Sequence, residues 1–487
     1  MSEPDLPTPT RRTFLATAAA AGGLLAFARP SLARAAVQEI GLRAAAGRVR
    51  LVPAPHSETP AWCYGGTVPG PEIRVRQGGR LRVTVENGLD EETTVHWHGV
   101  RVPNAMDGVP HLTQPPIAPG ARFVYEFDAV DAGTFWYHPH QRSFEQVDRG
   151  LYGALIVEER EPPAVDRDLT WMLDDWRLTE TAAIRDDFGN AHDMMHAGRF
   201  GNAVTINGRV PNRIAVRAGE RIRLRLVNAA NARIFGLDFG LLAPQVVALD
   251  GQPVAPHAPD GLVVLGPAMR ADLILDVTMA PGTTTAVVDR FYEELEYRLV
   301  EVACAAEPLP EQPPAREFAL PPNPLSEPDL AAATRHEVTF NGGMMGGMVM
   351  AEMGGSMGDI PSGAGRGGMD MMMGMMHGDN IWFINGVAAT GHVLDPMLTL
   401  ARGKSHVVAM TNATAWHHPI HLHGHSFRVI ARDGRPTRHR EWQDTVLMAP
   451  KERVEIALVA DNPGDWMFHC HILEHQASGM MGVIRVA

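Results

Sequence analysis

The sequence predicts an all-β protein made of three related β domains, and three observations predict it. Apolar runs are short and alternate with polar residues, as in LRVTVENG (81–88) and IRLRLVNA (222–229), which is the period-two pattern of strands with one buried face. Glycine and proline are abundant, at 48 and 38 residues, so turns are available throughout. One pattern of a small loop, a strand, a Gly turn and a second strand ending in Asn occurs three times, as YGGTVPGPEIRVRQGGRLRVTVEN (64–87), INGRVPNRIAVRAGERIRLRLVN (206–228) and INGVAATGHVLDPMLTLARGKSHVVAMTN (384–412). A repeat of that length marks one supersecondary unit used again. At 487 residues the chain is too long for one ordinary core, and 45% hydrophobic with 20% charged residues is normal for a globular protein.

In chain order, residues 1–35 read as an address. TRRTFLA (10–16) places Arg11 and Arg12 before an apolar stretch running to about Phe27, and Ala33-Arg34-Ala35 offers a small-x-small cleavage site. This resembles a twin-arginine export signal, so a periplasmic or secreted location is expected. The apolar run is rich in Ala and Gly and shorter than the roughly 20 residues that span a bilayer, and no other segment spans one, so stable membrane insertion is not expected. Residues 36–160 form the first domain and 161–305 the second. A proline-rich stretch within 306–335 is a linker, and 336–487 form the third domain. The net charge of −13 with scattered arginines excludes a nucleic-acid partner, which needs a concentrated basic surface. A monomer is expected.

The first and third domains share an ending. AGTFWYHPH (132–140) aligns with PGDWMFHCH (463–471), and Gly150-Leu151 aligns with Gly479-Met480. His138 and His140 thus fall on His469 and His471, while Pro139 and Leu151 replace Cys470 and Met480. The second domain has no comparable histidines. Four clusters stand out: HWHG (96–99), HPH (138–140), HHPIHLHG (417–424) and HCHILEH (469–475). In a strand, residues i and i+2 project to one face and i+1 to the other. His469 and His471 therefore serve one site while Cys470 serves another, and one short piece of backbone joins the two.

One Cys thiolate, two imidazoles and a weak axial Met make a blue-copper electron-transfer site. Cys470, His475 and Met480 supply three ligands, and His418 on an earlier strand is the expected fourth. Zinc is the runner-up metal, but this spacing is not that of a zinc finger. The remaining His96, His98, His138, His140, His421, His423, His469 and His471 form four His-x-His pairs. Eight imidazoles fit a multi-metal cluster, and the adjoining blue-copper pattern makes copper the economical choice among metals that imidazole suits.

From about residue 40 to its end the sequence closely resembles the multicopper oxidases, the family of laccases, bilirubin oxidases and bacterial cuprous oxidases. The resemblance implies three cupredoxin-like Greek-key β-sandwich domains and four copper ions. By motif, His96 and His421 would bind type 2 copper, and His98, His138, His140, His423, His469 and His471 the type 3 pair. His418, Cys470, His475 and Met480 would hold type 1 copper. Electrons from a donor, one at a time, would run from Cys470 through adjacent peptide bonds to His469 and His471, and dioxygen would be reduced to two waters by four of them. Asp107, soon after HWHG, and Glu474, beside His475, are expected proton carriers. Asp107-Gly108 is also a turn signal, and Glu474 could be a solvated or hydrogen-bonded side chain.

From Gly342 to Gly378 the chain is mostly Gly and Met and holds twelve of the 25 methionines. Thioethers select Cu(I), and the segment resembles the methionine-rich insert of bacterial cuprous oxidases. Cu(I) and phenolic compounds are both expected donors. TNATAWH (411–417) lacks the Met and acid those enzymes place before the type 1 His, and Trp416 is expected to shape the approach to His418. A copper storage protein would explain the methionines but not the paired histidines. A copper nitrite reductase is typically shorter and two-domained. Finally, Cys63 and Cys304 could form a disulfide in an oxidising compartment.

Overall fold

The computed structural model describes residues 37–309, 318–354, 381–389 and 395–487. The expected export signal, part of the linker and the methionine segment from residue 355 onward lie outside the described residues.

Six sheets form three sandwiches. In the first, one sheet has the strand order Thr59–Tyr64, Val37–Val49, Arg80–Asn87, Arg122–Asp128, and the other has the order Ile73–Arg76, Gly153–Glu158, Gly133–His138, His96–His98. Each sheet contains one parallel pair between strands distant in sequence, Val37–Val49 with Arg80–Asn87 and Ile73–Arg76 with Gly153–Glu158. The strand Arg80–Asn87 shows why the period-two pattern works: Leu81, Val83 and Val85 point inward and join a core with Trp97, Tyr137 and Leu155. The second and third sandwiches repeat the design with larger sheets and their own cores, around Leu224, Leu226 and Leu273, and around Phe340, Trp382 and Phe468.

The asparagine that ends each repeat has one job three times over. Asn87, Asn228 and Asn412 are buried. Each accepts at Oδ1 from the backbone two residues on, at Leu89 (2.9 Å), Ala230 (3.0 Å) and Thr414 (3.2 Å). Each also donates from Nδ2 to two carbonyls, such as Glu91 and Ile117 for Asn87, and Trp416 and Ala449 for Asn412. A buried amide so satisfied fixes the loop that leaves the strand.

The strand Arg221–Asn228 departs from simple alternation, since every residue in it is buried. Its arginines are neutralised by acids of the same sandwich, Asp168 and Asp272, and reach the first domain at Glu159 and Thr134. Arg223 meets Asp272 and Glu159, and Arg225 meets Asp168 and donates to Thr134 Oγ1 at 2.9 Å. Cys63 and Cys304 are free thiols in two different cores, so the disulfide considered from sequence does not form. Among the described residues no helix is long and apolar enough to cross a membrane.

Candidate metal centre

Strand pairing brings the four motifs together. His96 lies opposite His138 in the first sandwich, and in the third His421 lies opposite His469 while Ile420 lies opposite Cys470. The histidines of the first and third sandwiches converge on one another. Their ring nitrogens gather into the groups His96/His98/His421, His98/His138/His471 and His140/His423/His469, the atoms of each lying within 4.8 Å of one another. Each of the last two groups takes one histidine from HPH and one from HCH. The six histidines grouped together from sequence are thus two triads. His418, Cys470 and His475 form a separate group on the opposite face of the HCH strand, as the alternation requires.

Hydrogen bonds fix which nitrogen faces inward in six of the eight rings. His96 Nδ1 donates to the carbonyl of Asp107 and His421 Nδ1 to the carbonyl of Asp444, both at 2.8 Å. Their Nε2 atoms are buried with no hydrogen-bond partner. His98 Nε2 donates to Asp444 Oδ1 (3.2 Å), and His138 Nδ1 donates to the Pro139 carbonyl (3.1 Å). That leaves His98 Nδ1 and His138 Nε2 as two bare acceptors 3.5 Å apart. In the other triad His423 Nδ1 donates to the Asp107 carboxylate (2.9 Å) and His469 Nδ1 to the Cys470 carbonyl (2.9 Å). His423 Nε2 and His469 Nε2 then face each other at 3.1 Å. Two neutral-imidazole lone pairs cannot bond each other; a cation between them can accept both.

The Cys470 group follows the same logic. Thr414 Oγ1 donates to Asn412 Oδ1 (2.7 Å) and accepts from His418 Nε2 (2.8 Å), while His475 Nε2 donates to the His196 carbonyl (2.6 Å). Both Nδ1 atoms are left bare, 3.1 Å apart, and lie 3.4 and 3.7 Å from Cys470 Sγ. Met480 is buried in the same apolar cluster. Its carbonyl accepts from Cys470 N (3.1 Å) and its N donates to the carbonyl of His475 (2.9 Å). The Trp382 ring lies 4.2 Å from His475 and 5.1 Å from His418.

The electrostatics match a set of neutral ligands. Burial, reinforced by neighbouring imidazoles, holds His98, His138, His140, His423, His469 and His471 well below the ordinary imidazole range. Burial likewise lowers His475 to about 3 and pushes the Cys470 thiol far up. A thiol in such surroundings ionises only beside a strong positive charge. The donor set of thiolate, imidazole and thioether fits copper, and the all-imidazole groups fit it as well.

Asp107 lies against the histidine cluster, and Glu474 lies in the short helix Leu473–Ala477 that carries His475. Asp107 follows the short 3-10 turn Asn104–Met106, and the next residue, Gly108, has φ +81°. The turn therefore exists, and it presents the Asp107 carboxylate to His423. Glu474 is buried, not solvated. Its Oε1 accepts from Asn231 Nδ2 at 3.0 Å, its Oε2 has no partner, and burial raises its pKa to about 7. Trp416 packs against the apolar cluster that contains Cys470 and Met480, and its backbone N and carbonyl both meet the hydroxyl of Thr414, the partner of His418. Its Nε1 donates to the Met344 carbonyl at 3.4 Å and its ring lies 5.5 Å from His196.

Three sequence profiles described as multicopper oxidase match residues 46–162, 167–292 and 369–487. The chain belongs to the multicopper oxidase family. Multicopper oxidase MmcO of Mycobacterium tuberculosis (strain ATCC 25618 / H37Rv) is 32% identical over 453 residues, covering 86% of this chain and 81% of that protein. The crystal structure of a multi-copper oxidase from Pseudomonas thermotolerans superposes with a TM-score of 0.80 at 36% identity, covering 93% of this chain and 100% of that one. A multicopper oxidase from Campylobacter jejuni, described as a metallo-oxidase, gives 0.73 at 27% identity, covering 92% and 91%. This multicopper oxidase is accordingly a copper-dependent oxidoreductase that uses oxygen.

Sequence reasoning missed several residues of the centre. Asp444 touches His98 and, through its carbonyl, His421; Thr445, Thr414 and the His196 carbonyl hold ring nitrogens outward; Trp382 covers the Cys470 group. Asp444 sits in EWQDTV with no local pattern to mark it.

Proposed function

We propose that this enzyme couples one-electron oxidation of Cu(I) or phenolic donors to four-electron reduction of dioxygen to water. His418, Cys470, His475 and Met480 would hold type 1 copper and His96 and His421 type 2 copper. His98, His138 and His471 would hold one copper of the type 3 pair, and His140, His423 and His469 the other, four ions in all. Bound copper supplies the one-electron redox chemistry that the side chains cannot.

The observation that carries this reading is the set of inward-facing, proton-free nitrogens, produced by carbonyl, carboxylate and hydroxyl acceptors on the outer side of the rings. Cys470, flanked by His469 and His471, gives the shortest covalent route between the two sites. Asp107 holds His423 and would pass protons at the imidazole cluster. Glu474, buried and next to His475 in the chain with one carboxyl oxygen free of hydrogen bonds, would be the second proton carrier. A cavity of about 200 Å³ lined by Val109, Phe144, Met467, Gln476 and Met481 reaches His140 and offers dioxygen and water a path.

For the donor, similarity to the Campylobacter metallo-oxidase and the methionines of 342–378 both favour Cu(I). We read Arg11 and Arg12 as part of an export signal, which places the work in the periplasm or outside the cell. The test is copper per chain together with dioxygen uptake on Cu(I) and on a phenol. Four coppers and uptake on addition of donor are expected. One copper, or binding without uptake, contradicts the reading and favours a storage protein.

A further inference from the structure

The second sandwich contributes no histidine to the centre, yet it places a buried cation against it. Arg270 opens the strand Arg270–Asp276 of that sandwich and is fully buried. Its guanidinium donates from Nη1 to Asp444 Oδ1 at 2.7 Å and from Nη2 to Asp444 Oδ2 at 2.5 Å. A planar fork on a carboxylate fixes orientation as well as distance. Asp250, on the same sandwich, closes the arrangement. Its carboxylate accepts from the backbone N of Asp444 (3.2 Å), of Thr445 (3.0 Å) and of Arg270 itself (2.9 Å).

What Asp444 holds is specific. Its Oδ1 accepts from His98 Nε2 at 3.2 Å and from the Thr445 hydroxyl at 2.8 Å, and its carbonyl accepts from His421 Nδ1 at 2.8 Å. Thr445 Oγ1 lies 3.1 Å from both His98 Nε2 and His421 Nδ1. The two rings are stacked with centroids 3.7 Å apart. One residue thus sets the tautomer of two histidines, and turns His98 Nδ1 and His421 Nε2 inward.

We propose that Arg270 is a positioning residue for the type 2 copper position: acting through Asp444, it orients the type 2 ligand His421 and the type 3 ligand His98 stacked on it, and the type 2 position is the one that empties, because it has only two histidines while the triad of His98 keeps His138 and His471, so that the sandwich without ligands controls occupancy of a site formed by the other two. The inference rests on the ligand assignment given above. Gly99, the last residue of HWHG, fits the same account. It has φ +82°, and a Cβ there would collide with Arg270 Nη2 and lie 2.5 Å from Asp444 Oδ2.

The experiment is Arg270→Gln in the full-length copper-loaded enzyme, read by copper per chain, the type 2 paramagnetic resonance signal and the blue absorption. The unchanged protein, with four coppers and a type 2 signal, tests the ligand assignment separately. The variant is expected to keep its blue absorption and lose about one copper per chain together with the type 2 signal, affinity at that position falling about 10- to 100-fold. Full copper with an unaltered type 2 signal overturns the proposal. If Arg270→Gln does not fold, Arg270→Lys decides, since Lys keeps the charge without the fork. Selective loss of the type 2 signal in that variant supports the proposal, and no loss, or parallel loss of blue and type 2 signals as a merely structural role would give, overturns it.

Discussion

His475 Nε2 donates to the backbone carbonyl of His196 at 2.6 Å, so the outer edge of that imidazole is already occupied by the protein. The other imidazole of the Cys470 group is no more open, because His418 Nε2 donates to Thr414 and both rings are fully buried. A phenol therefore cannot hydrogen-bond directly to either ring. The contacts to His196 and Thr414 lie outside the methionine-rich stretch 342–378 and close the rings without it.

Deleting residues 355–376 should accordingly leave kcat/KM for a phenol within about twofold, while the apparent KM for Cu(I) rises several-fold at low copper. Steady-state kinetics on both donors checks this. A parallel fall in both activities with loss of bound copper would mean the segment is structural, and no change in either would remove the methionines from the account.

Cys470→Ser should abolish the intense blue absorption and donor oxidation while most copper at the eight-histidine cluster remains. The cysteine side chain projects away from His469 and His471, so its loss leaves those rings and their partners in place. Copper analysis with visible spectra checks it; a surviving blue band would show that another residue supplies the thiolate.

The ring of histidines was legible because strands alternate. Four His-x-His pairs declare a shared face, and Cys470 between two of them declares the opposite one. The repeated Asn was legible as a pattern, though not as the buried clamp that Asn87, Asn228 and Asn412 form. Division of six histidines into two triads was not legible, since it depends on how two sandwiches face each other. Asp444 and Arg270 were hidden for the same reason: they are 174 residues apart and meet only in the folded chain. His196 was hidden more deeply, because its carbonyl acts on His475 and a carbonyl carries no residue identity.

Asp107→Asn keeps an oxygen for His423 but removes the carboxylate, and Glu474→Gln keeps the acceptor for Asn231 but removes the acid. Each should lower dioxygen reduction about 10- to 100-fold while the blue band and donor-driven bleaching stay unchanged. Stopped-flow bleaching compared with reoxidation in air separates the two steps. Equal slowing of both would place these acids in donor oxidation instead.

Gly99→Ala should destabilise the folded protein by roughly 1–3 kcal/mol, since it combines a left-handed backbone with a Cβ driven against Arg270 and Asp444. Thermal unfolding of the copper-free and copper-loaded protein checks it. The loss of stability should appear in both forms, and an unchanged Tm in the copper-free protein would show that the Arg270–Asp444 fork tolerates displacement.

The central claim is that donor oxidation and dioxygen reduction occupy two separate sites on opposite faces of one strand, and His138→Ala tests it most directly. His138 stands in a triad with His98 and His471, a group separate from that of His418, Cys470 and His475. The measurement is the blue absorption of the variant as it is reduced by donor without oxygen and then exposed to air. The account predicts that the colour bleaches as in the unchanged protein and does not return, with dioxygen consumption lowered at least about tenfold. Return of the colour at the unchanged rate, with dioxygen consumed, would contradict it.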